Sequence, residues 1–207
     1  MSDILKPIIS RLCDAEQLSF EEMQNAFSIL MSGEATVAQI TSFMISLKIR
    51  GETATDIAAG ASQMRANAKT IKAPLNAIDI VGTGGDGSQS LNISTASAII
   101  VAGCGVPVAK HGNKAVSSKS GAADILNELG INLESEFSMI EKAISLAGIG
   151  FLMAPRHHPT LRHVGPTRIE LGVRTIFNLL GPLSNPALVD KALIGVYDEK
   201  WGRPFAE

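Results

Sequence analysis

The sequence DIVGTGGDGSQSLNIST, residues 79–95, gives the strongest indication of the fold. It joins the end of a short apolar run to the start of a predicted helix, with glycines at positions 82, 84, 85 and 87. Such a loop leaves backbone N–H groups uncovered and tolerates positive φ, so phosphate oxygens can approach within hydrogen-bonding distance. Ser94 and Thr95 begin the following helix, where free N–H groups and the helix dipole favour an anion. The stretch therefore predicts a strand, a phosphate-binding loop and a helix in succession.

Short apolar runs alternate with helical segments through the second part of the chain. The runs predict strands at 77–81, 106–109, 149–154 and 191–197. The intervening segments predict helices at about 94–102, 121–129 and 137–147. Alternating strands and helices form a mainly parallel sheet covered on both faces, and ligands bind at the carboxyl ends of its strands. The predicted fold class is α/β, in a domain spanning residues 74–207.

The first 73 residues predict a helical subdomain of four helices. Two helices open with a capping box, Ser19 with Glu22 and Thr36 with Gln39, in which side chain and backbone satisfy each other. The first helix is predicted to bury an apolar face made of Ile4, Leu5, Ile8, Ile9 and Leu12. The second is predicted to bury Phe20, Met23, Phe27, Leu30 and Met31.

The segment 155–186 follows neither the strand nor the helix period cleanly. It predicts two short helices, at about 160–171 and 174–180, separated by Gly172. We expect 160–184 to join the helical subdomain.

Composition limits the classes of function. The net charge is −2 and 45% of the residues are hydrophobic, so no overall electrostatic footprint for nucleic acid or an anionic membrane is present. No apolar run approaches the roughly 18 residues that span a bilayer. The two cysteines, Cys13 and Cys104, predict buried thiols in a reducing compartment, and hence a cytoplasmic protein.

A second polar loop, KHGNKAVSSKSG at residues 110–121, also follows a predicted strand and precedes a helix. Its side chains suit phosphate: the cations Lys110, Lys114 and Lys119, the hydroxyls of Ser117, Ser118 and Ser120, and the directional groups of His111 and Asn113. Two such loops at neighbouring strand ends would face one crevice. The alternative is a solvated basic loop in which Ser120 caps the next helix.

Asp86 needs a separate explanation, because a carboxylate beside bound phosphate repels it. It is interpreted as a contact to a ribose, to a pyrophosphate through Mg²⁺, or to backbone amides. The alternative is a glycine-rich turn that Asp86 caps locally. The histidine-rich segment at 156–163 does not match a zinc motif, because its spacing is wrong and proline interrupts it. The residues alone therefore predict a phosphate-rich ligand held between two loops.

Four motifs in order resemble the anthranilate phosphoribosyltransferase family of tryptophan biosynthesis. They are GTGGD at 82–86, NIST at 92–95, KHGN with AVSSKSG at 110–121, and ELGVRTIFNLLGPLSNP at 170–186. The resemblance implies a helical subdomain joined to a larger α/β domain and a homodimer formed through the helical part. It also implies two small-molecule substrates, phosphoribosyl pyrophosphate and anthranilate, with Mg²⁺ as cofactor, and no nucleic-acid or membrane partner.

The resemblance assigns candidate site residues. For phosphoribosyl pyrophosphate they are Gly82, Gly85, Asp86, Ser90, Asn92, Ile93, Ser94, Thr95, Lys110, His111, Gly112, Asn113, Lys114, Ala115, Val116, Ser117, Ser118 and Ala122. For anthranilate they are Gly82, Asn113, His158 and Arg168, with His111 lining the path. Ser94 would also reach Mg²⁺. Ala122 and Lys114 depart from the serine and arginine usual at these positions in the family.

The implied reaction is attack of the anthranilate amine on C1 of the ribose, which expels pyrophosphate. An aromatic amine is neutral at pH 7, so the reaction requires no strong general base. The family continues beyond residue 207 with an adjacent Asp–Glu pair that binds Mg²⁺. We therefore expect a C-terminally truncated chain, with an incomplete sheet and little activity alone. A pyrimidine nucleoside phosphorylase and a non-catalytic nucleic-acid-binding relative are the alternatives.

Overall fold

A computed structural model describes residues 4–85, 91–114 and 121–207. The chain divides into two compact units. The helical unit comprises Met1–Asn67, Pro159–Leu183 and Arg203–Glu207, and the sheet unit comprises Ala68–His158 and Ser184–Gly202.

The helical unit is built on four helices, α1 Leu5–Cys13, α2 Phe20–Ser32, α3 Val37–Arg50 and α4 Ala54–Ala66. Both predicted capping boxes are present, at Ser19 before α2 and at Thr36 before α3. Phe27 lies at the centre of the core, where its ring meets Phe43 edge to face at 5.6 Å and Phe177 at 5.8 Å. Aromatic side chains from three segments thus close one apolar core.

Two apolar side chains predicted for this core are exposed. Ile4 precedes α1 and is 57% exposed, because the helix begins one residue later. Phe20 is the first residue of α2 and is 40% exposed, since its place in the first turn directs it away from the packed face. Leu5, Ile8 and Leu12 are buried as predicted.

The prediction of two helices within 155–186 is wrong in detail. The segment contains α8 Ala154–His157, a 3-10 turn at Pro159–His163, α9 Gly165–Leu171, α10 Phe177–Leu180 and a second 3-10 turn at Gly181–Leu183. Prolines at 155, 159, 166 and 182 account for the short pieces, because each removes a backbone donor and stops a helix from extending upstream.

The sheet unit contains four parallel strands in the order β3-β2-β1-β4. They are β1 Ile78–Gly82, β2 Val108–Gly112, β3 Ile149–Met153 and β4 Lys191–Gly195, connected in part by α5 Ile93–Gly103, α6 Ala122–Glu128 and α7 Phe137–Ala147. The chain closes with a 3-10 turn at Glu199–Trp201 and with α11 Gly202–Ala206. The predicted α/β fold with a parallel sheet is confirmed.

Helices cover both faces of the central strands. Val108 of β2 packs with Ile80 and Ala98 of α5. Its neighbour Ala109 points to the opposite face, into a cluster with Ile144 of α7. Because successive strand residues alternate between faces, this pair shows that β2 is buried on both sides. Such burial explains the nearly continuous apolar runs of the sequence.

Both cysteines are exposed, so the prediction of buried thiols is wrong. Cys13 is the last residue of α1, with its Sγ 3.2 Å from the Oγ of Ser46, and Cys104 follows the end of α5. A helix end presents side chains to solvent even where the neighbouring residues are apolar. Within the described ranges, no helix has the length and apolar character needed to cross a membrane.

Candidate phosphate-binding site

The first candidate loop leaves β1 at Gly82. Gly84 and Gly85 have φ of +62° and +67°, a left-handed conformation that favours glycine. A Cβ on Gly82 would lie 3.4 Å from the carbonyl oxygen of Gly195 and 3.8 Å from the Oγ of Ser94. The missing side chains therefore leave the backbone of this strand exit open beside the first turn of α5. Asp86 and Ser90, both predicted site residues, lie outside the described residues.

Helix α5 begins beside this loop. The Oδ1 of Asn92 accepts the backbone N–H of Thr95 at 3.3 Å, which caps the helix and fixes its first turn. The helix has 11 residues, and its first N–H groups have no partner within the helix. As at other helix N-termini, these groups and the helix dipole favour a nearby anion. Ile93, Ser94 and Thr95 occupy that first turn, and Thr95 is buried.

The second candidate loop begins later than predicted. Lys110, His111 and Gly112 are the last three residues of β2, not loop residues. The strand continues because each of them pairs with β3, Lys110 opposite Phe151 and Gly112 opposite Met153. A Cβ on Gly112 would come within 2.9 Å of the Phe151 ring. Close packing against this ring therefore explains why a glycine occupies position 112.

Asn113 and Lys114 follow β2 and are exposed. The carbonyl of Asn113 accepts the backbone N–H of Ala123 at 3.2 Å, which ties the strand exit to the first turn of α6. Ala122 is the first residue of that helix. The remaining predicted residues of this loop, Ala115, Val116, Ser117 and Ser118, lie outside the described residues, as do Lys119 and Ser120.

The two loops start at neighbouring strands. β1 and β2 are adjacent and parallel, so Gly82 and Gly112 end at the same edge of the sheet. The strand ends from which the two loops leave are therefore neighbours, and a crevice shared by the loops stays a prediction.

Lys110 is buried, and its Nζ donates a hydrogen bond to the carbonyl oxygen of Ile80 at 2.6 Å. Burial lowers the pKa of the Lys110 ammonium, and the negative charge of Asp79 opposes that change. In this structure the amine faces strand β1. Its predicted contact with phosphate stays a prediction.

Asp79 and Asn185 form a buried polar pair that the sequence motifs do not indicate. The Oδ2 of Asp79 accepts a hydrogen bond from the Nδ2 of Asn185 at 2.8 Å, and its Oδ1 accepts one from the backbone N–H of His111 at 3.1 Å. Burial raises the pKa of Asp79 to about 6, against the hydrogen bond from Asn185 and the charge of Lys110. The available signal was a carboxylate inside the apolar run AIDIV, which needs a partner when buried.

The two predicted site histidines, His111 and His158, are brought together. Their rings meet edge to face with centroids 5.1 Å apart, and both are buried. The preceding His157 stacks on Phe137 at 4.4 Å, and its Nδ1 lies 2.6 Å from the carbonyl of Lys69. Burial lowers the pKa of His157, which favours the neutral ring.

The other residues predicted for anthranilate are distributed over both units. Gly82, Asn113 and His158 lie in the sheet unit, all at or after the carboxyl ends of strands. Arg168 lies in α9 of the helical unit, with its guanidinium carbon 5.3 Å from the centre of the Phe177 ring. Burial lowers the pKa of Arg168. The joint role of these residues toward one substrate stays a prediction.

The donor set fits a magnesium ion that a phosphate ligand shares, rather than a cage made of protein groups. Within residues 4–85, 91–114 and 121–207, no group of three or more His, Cys, Asp or Glu could hold a metal ion. Ser94 offers one hydroxyl oxygen close to Gly82. Mg²⁺ commonly keeps several waters and takes one or two protein ligands beside substrate phosphates, so one hydroxyl is compatible with it.

A glycine loop and a capped helix end lie at the edge of a parallel sheet, an arrangement found in many α/β proteins that bind phosphates. Two models of the glycosyl transferase family match the chain: the a/b domain over residues 75–207 and the helical bundle domain over residues 6–68. The chain therefore belongs to the glycosyl transferase family.

The resemblance to anthranilate phosphoribosyltransferases is confirmed by relatives of that name. The proteins of Afipia carboxidovorans and Rhizobium meliloti are each 56% identical to this chain over 207 residues, which is 100% of this chain and 61% of each relative. The chain thus spans about 60% of the length of the curated relatives it matches.

Solved structures agree with this relationship. The anthranilate phosphoribosyltransferase of Thermus thermophilus superposes with a TM-score of 0.90 at 44% identity, covering 96% of this chain and 60% of that one. The Saccharomyces cerevisiae enzyme in complex with PRPP and Mg gives 0.91 at 31% identity, covering 100% of this chain and 62% of that one.

Proposed function

We propose that the protein transfers the phosphoribosyl group of phosphoribosyl pyrophosphate to the amine of anthranilate. The products are N-(5-phosphoribosyl)anthranilate and pyrophosphate, in a step of tryptophan biosynthesis. The observation that carries the proposal is the agreement between the relatives and the site. Proteins 56% identical over the whole chain bear the name of this activity, and the chain retains the open glycine loop beside the capped α5.

The first part of the mechanism is to hold the phosphates. The N–H groups at the start of α5 and the loop at Gly82–Gly85 supply backbone donors without a side chain in the way. Such donors stabilise the negative charge that collects on a departing pyrophosphate, and they need no reorganisation when it forms. We assign this role to the first turn of α5, which the Asn92 cap keeps fixed.

The second part is orientation of the nucleophile. The anthranilate amine is neutral at working pH, so its attack on C1 depends on alignment more than on proton removal. Asn113 is exposed at the exit of β2, and His158 packs on His111 beside it. We propose that these groups orient anthranilate. A Saccharomyces cerevisiae variant solved with 4-fluoroanthranilate supports a substrate of this class.

Magnesium belongs to the same proposal. Ser94 would hold Mg²⁺ together with phosphate oxygens, and the ion would neutralise charge on the pyrophosphate. The structure of the Saccharomyces cerevisiae enzyme in complex with PRPP and Mg supports a role for the ion, while its placement at Ser94 is part of our proposal.

We also propose that the protein is a cytoplasmic homodimer formed through the helical unit. Ile49 and Ile169 of that unit are 81% and 80% exposed, and a partner subunit would remove such apolar surface from water. Sedimentation should show a dimer whose dissociation is promoted by charged substitutions such as Ile49→Asp. A monomer at micromolar concentration would rule out this part of the proposal.

Activity is tested by following the loss of anthranilate fluorescence with phosphoribosyl pyrophosphate and MgCl₂. The product of the intact gene should be assayed beside residues 1–207, with reactions lacking phosphoribosyl pyrophosphate as controls. Release of one pyrophosphate per anthranilate consumed is expected. Phosphorolysis of uridine or thymidine in place of this reaction would support the nucleoside phosphorylase alternative, which the relatives do not favour.

Binding is tested separately by calorimetry with phosphoribosyl pyrophosphate and MgCl₂. Ser94→Ala should weaken binding by about fivefold, since one hydrogen bond or metal contact is worth about 1 kcal/mol. Ser97→Ala, one turn further along the same helix, is the matched control and should bind as the wild type does. Asp86→Ala should weaken binding as well. Equal affinities for all four proteins would argue against this loop and helix as the site.

A further inference from the structure

β1 and β2 are joined by backbone hydrogen bonding at their beginning. Ile78 lies opposite Val108, and the N–H of Ile78 donates to the carbonyl of Pro107 at 2.9 Å. In a continuous parallel ladder, the carbonyls of Ala109 and Ile80 would next accept bonds from the facing strand. These groups stand just before the two candidate phosphate loops.

Three side chains bind the backbone groups at this position. The Nδ2 of Asn185 donates to the carbonyl of Ala109 at 2.8 Å, and the Nζ of Lys110 donates to the carbonyl of Ile80 at 2.6 Å. The N–H of His111 donates to the Oδ1 of Asp79 at 3.1 Å. Side chains therefore satisfy buried backbone groups on both strands, at the end from which the loops leave.

Asn185 connects this cluster to the turn before β4. Its Nδ2 contacts both the Asp79 carboxylate and Ala109, while its Oδ1 accepts the N–H of Ala187 at 2.8 Å. Asp79 is fully buried and Asn185 is nearly so. A network in which each member is buried and bonded holds its segments in one geometry, because losing one partner leaves another polar group unsatisfied.

We propose that Asp79, Lys110 and Asn185 form a side-chain bridge that sets the spacing between the ends of β1 and β2, from which the two candidate loops leave. Asp79 and Asn185 act as positioning residues, through the backbone of Ala109 and His111, and they contact no substrate. A ligand with phosphates at both ends of a sugar needs two loops at a fixed separation, so the bridge would act on its affinity. This inference rests on the proposed function for the identity of that ligand.

The test compares Asp79→Asn with the wild type by calorimetry and by amide hydrogen exchange. An asparagine at this position turns an NH₂ toward one of the two donors, so one of the two contacts is lost. Affinity for phosphoribosyl pyrophosphate with MgCl₂ should fall about tenfold. Exchange of the His111 amide should accelerate at least about tenfold, while the Gly195 amide in the neighbouring β1–β4 pair keeps its wild-type rate.

Two further variants complete the test. Asp190→Asn, an exposed carboxylate five residues after Asn185, should leave both measurements unchanged. Asn185→Ala cuts the bridge from the other side and replaces Asp79→Asn if that variant does not fold. It should also accelerate His111 exchange and weaken binding.

The outcomes separate the two hypotheses. A wild-type protein that does not bind phosphoribosyl pyrophosphate would refute the proposed function, while the exchange measurement would still report whether the bridge holds the strands. Unchanged exchange at His111 in both bridge variants would overturn the bridge. Faster exchange with wild-type affinity would overturn its role in positioning the loops.

Discussion

The rings of His111 and His158 meet edge to face, with their centroids 5.1 Å apart. His111 belongs to β2, whereas His158 follows α8 after the neighbouring β3. Because β2 and β3 are adjacent and parallel, their carboxyl ends bring together two side chains that are 47 positions apart in the chain. The contact lies beside the second loop and orients both rings.

The ring contact can be measured with a double-mutant cycle. His111→Ala and His158→Ala should show a coupling of about 1 kcal/mol in the free energy of unfolding, as edge-to-face aromatic pairs do. Urea denaturation of the wild type, both single variants and the double variant gives this value. Additive losses, within about 0.3 kcal/mol, would show that the rings do not support each other.

The buried carboxyl of Asp79 should make stability depend on pH in an unusual direction. Its pKa is raised from 3.8 to about 6 in the native state, so the native protein binds a proton that the unfolded chain releases between these values. The contribution of Asp79 to stability is therefore greatest in acid and is lost as pH rises through about 6. Relative to Asp79→Asn, the wild type should lose roughly 2 kcal/mol of unfolding free energy between pH 4 and pH 7.

This comparison is made by urea denaturation at several pH values. Lys110 and His111 lie against Asp79 and are present in both proteins, so the difference isolates the carboxyl group. Asp190→Asn serves as an exposed control, for which the difference from the wild type should stay constant. A wild type that gains stability relative to Asp79→Asn as pH rises would show that the carboxylate is stabilised by its partners.

In the helical unit, the ion pair between Arg50 and Asp56 should be costly to break. The two side chains are 5% and 1% exposed, and the Oδ2 of Asp56 also accepts the N–H of Thr53 at 2.7 Å. Arg50→Ala leaves a buried carboxylate without its cation, so the free energy of unfolding should fall by about 3 kcal/mol. Adding Asp56→Asn should recover part of that loss.

An exposed ion pair provides the comparison. Arg203 pairs with Glu207 at 2.7 Å, but its side chain is 89% exposed. Arg203→Ala should change the free energy of unfolding by less than about 0.5 kcal/mol, because water screens such a pair. Similar losses for Arg50→Ala and Arg203→Ala in urea denaturation would contradict the argument from burial.

Gly60 should tolerate no side chain. A Cβ at this position would come within 2.8 Å of the Cδ1 of Leu180 and 2.9 Å of the Cζ of Phe27. Gly60→Ala should therefore destabilise the protein by about 1–3 kcal/mol through overpacking, although alanine favours a helix.

Gly103 is the matched control for that substitution. It also lies in a helix, and no atom stands within 4 Å of its Cβ position. Gly103→Ala should be neutral or should stabilise by up to about 1 kcal/mol. Thermal denaturation gives the melting temperatures of both variants. A higher value for Gly60→Ala than for Gly103→Ala would show that Leu180 and Phe27 can move to accommodate a methyl group at position 60.

Local patterns predicted the parts of the fold that depend on near neighbours in sequence. The capping boxes at Ser19 and Thr36 join groups three residues apart, so their geometry follows from the helix start alone. The glycine turn after β1 was predictable for the same reason, because the positive φ of Gly84 and Gly85 is a property of single residues. The shared edge at which β1 and β2 end followed from the rules of parallel sheets.

Packing overruled local pattern elsewhere. Cys13 and Cys104 have apolar neighbours, but helix ends expose both. The apolar run ends at Ala109 and so predicts that Lys110 begins a loop, yet the pairing of β2 with β3 extends the strand through Gly112. Lys110 can be buried because the backbone carbonyl of Ile80, in the adjacent strand β1, accepts a hydrogen bond from its ammonium group.

The sequence of this protein contains what is needed to recognise an α/β chain with a glycine-rich loop after β1, since caps, turns and apolar periods act over a few residues. The partnership of Asp79 with Asn185, 106 positions apart, depends on which strands become neighbours and in what register. Such contacts form only when folding brings together segments that are distant in sequence. A buried polar group without a partner costs free energy, so the folded arrangement is one in which Asp79 and Asn185 pair.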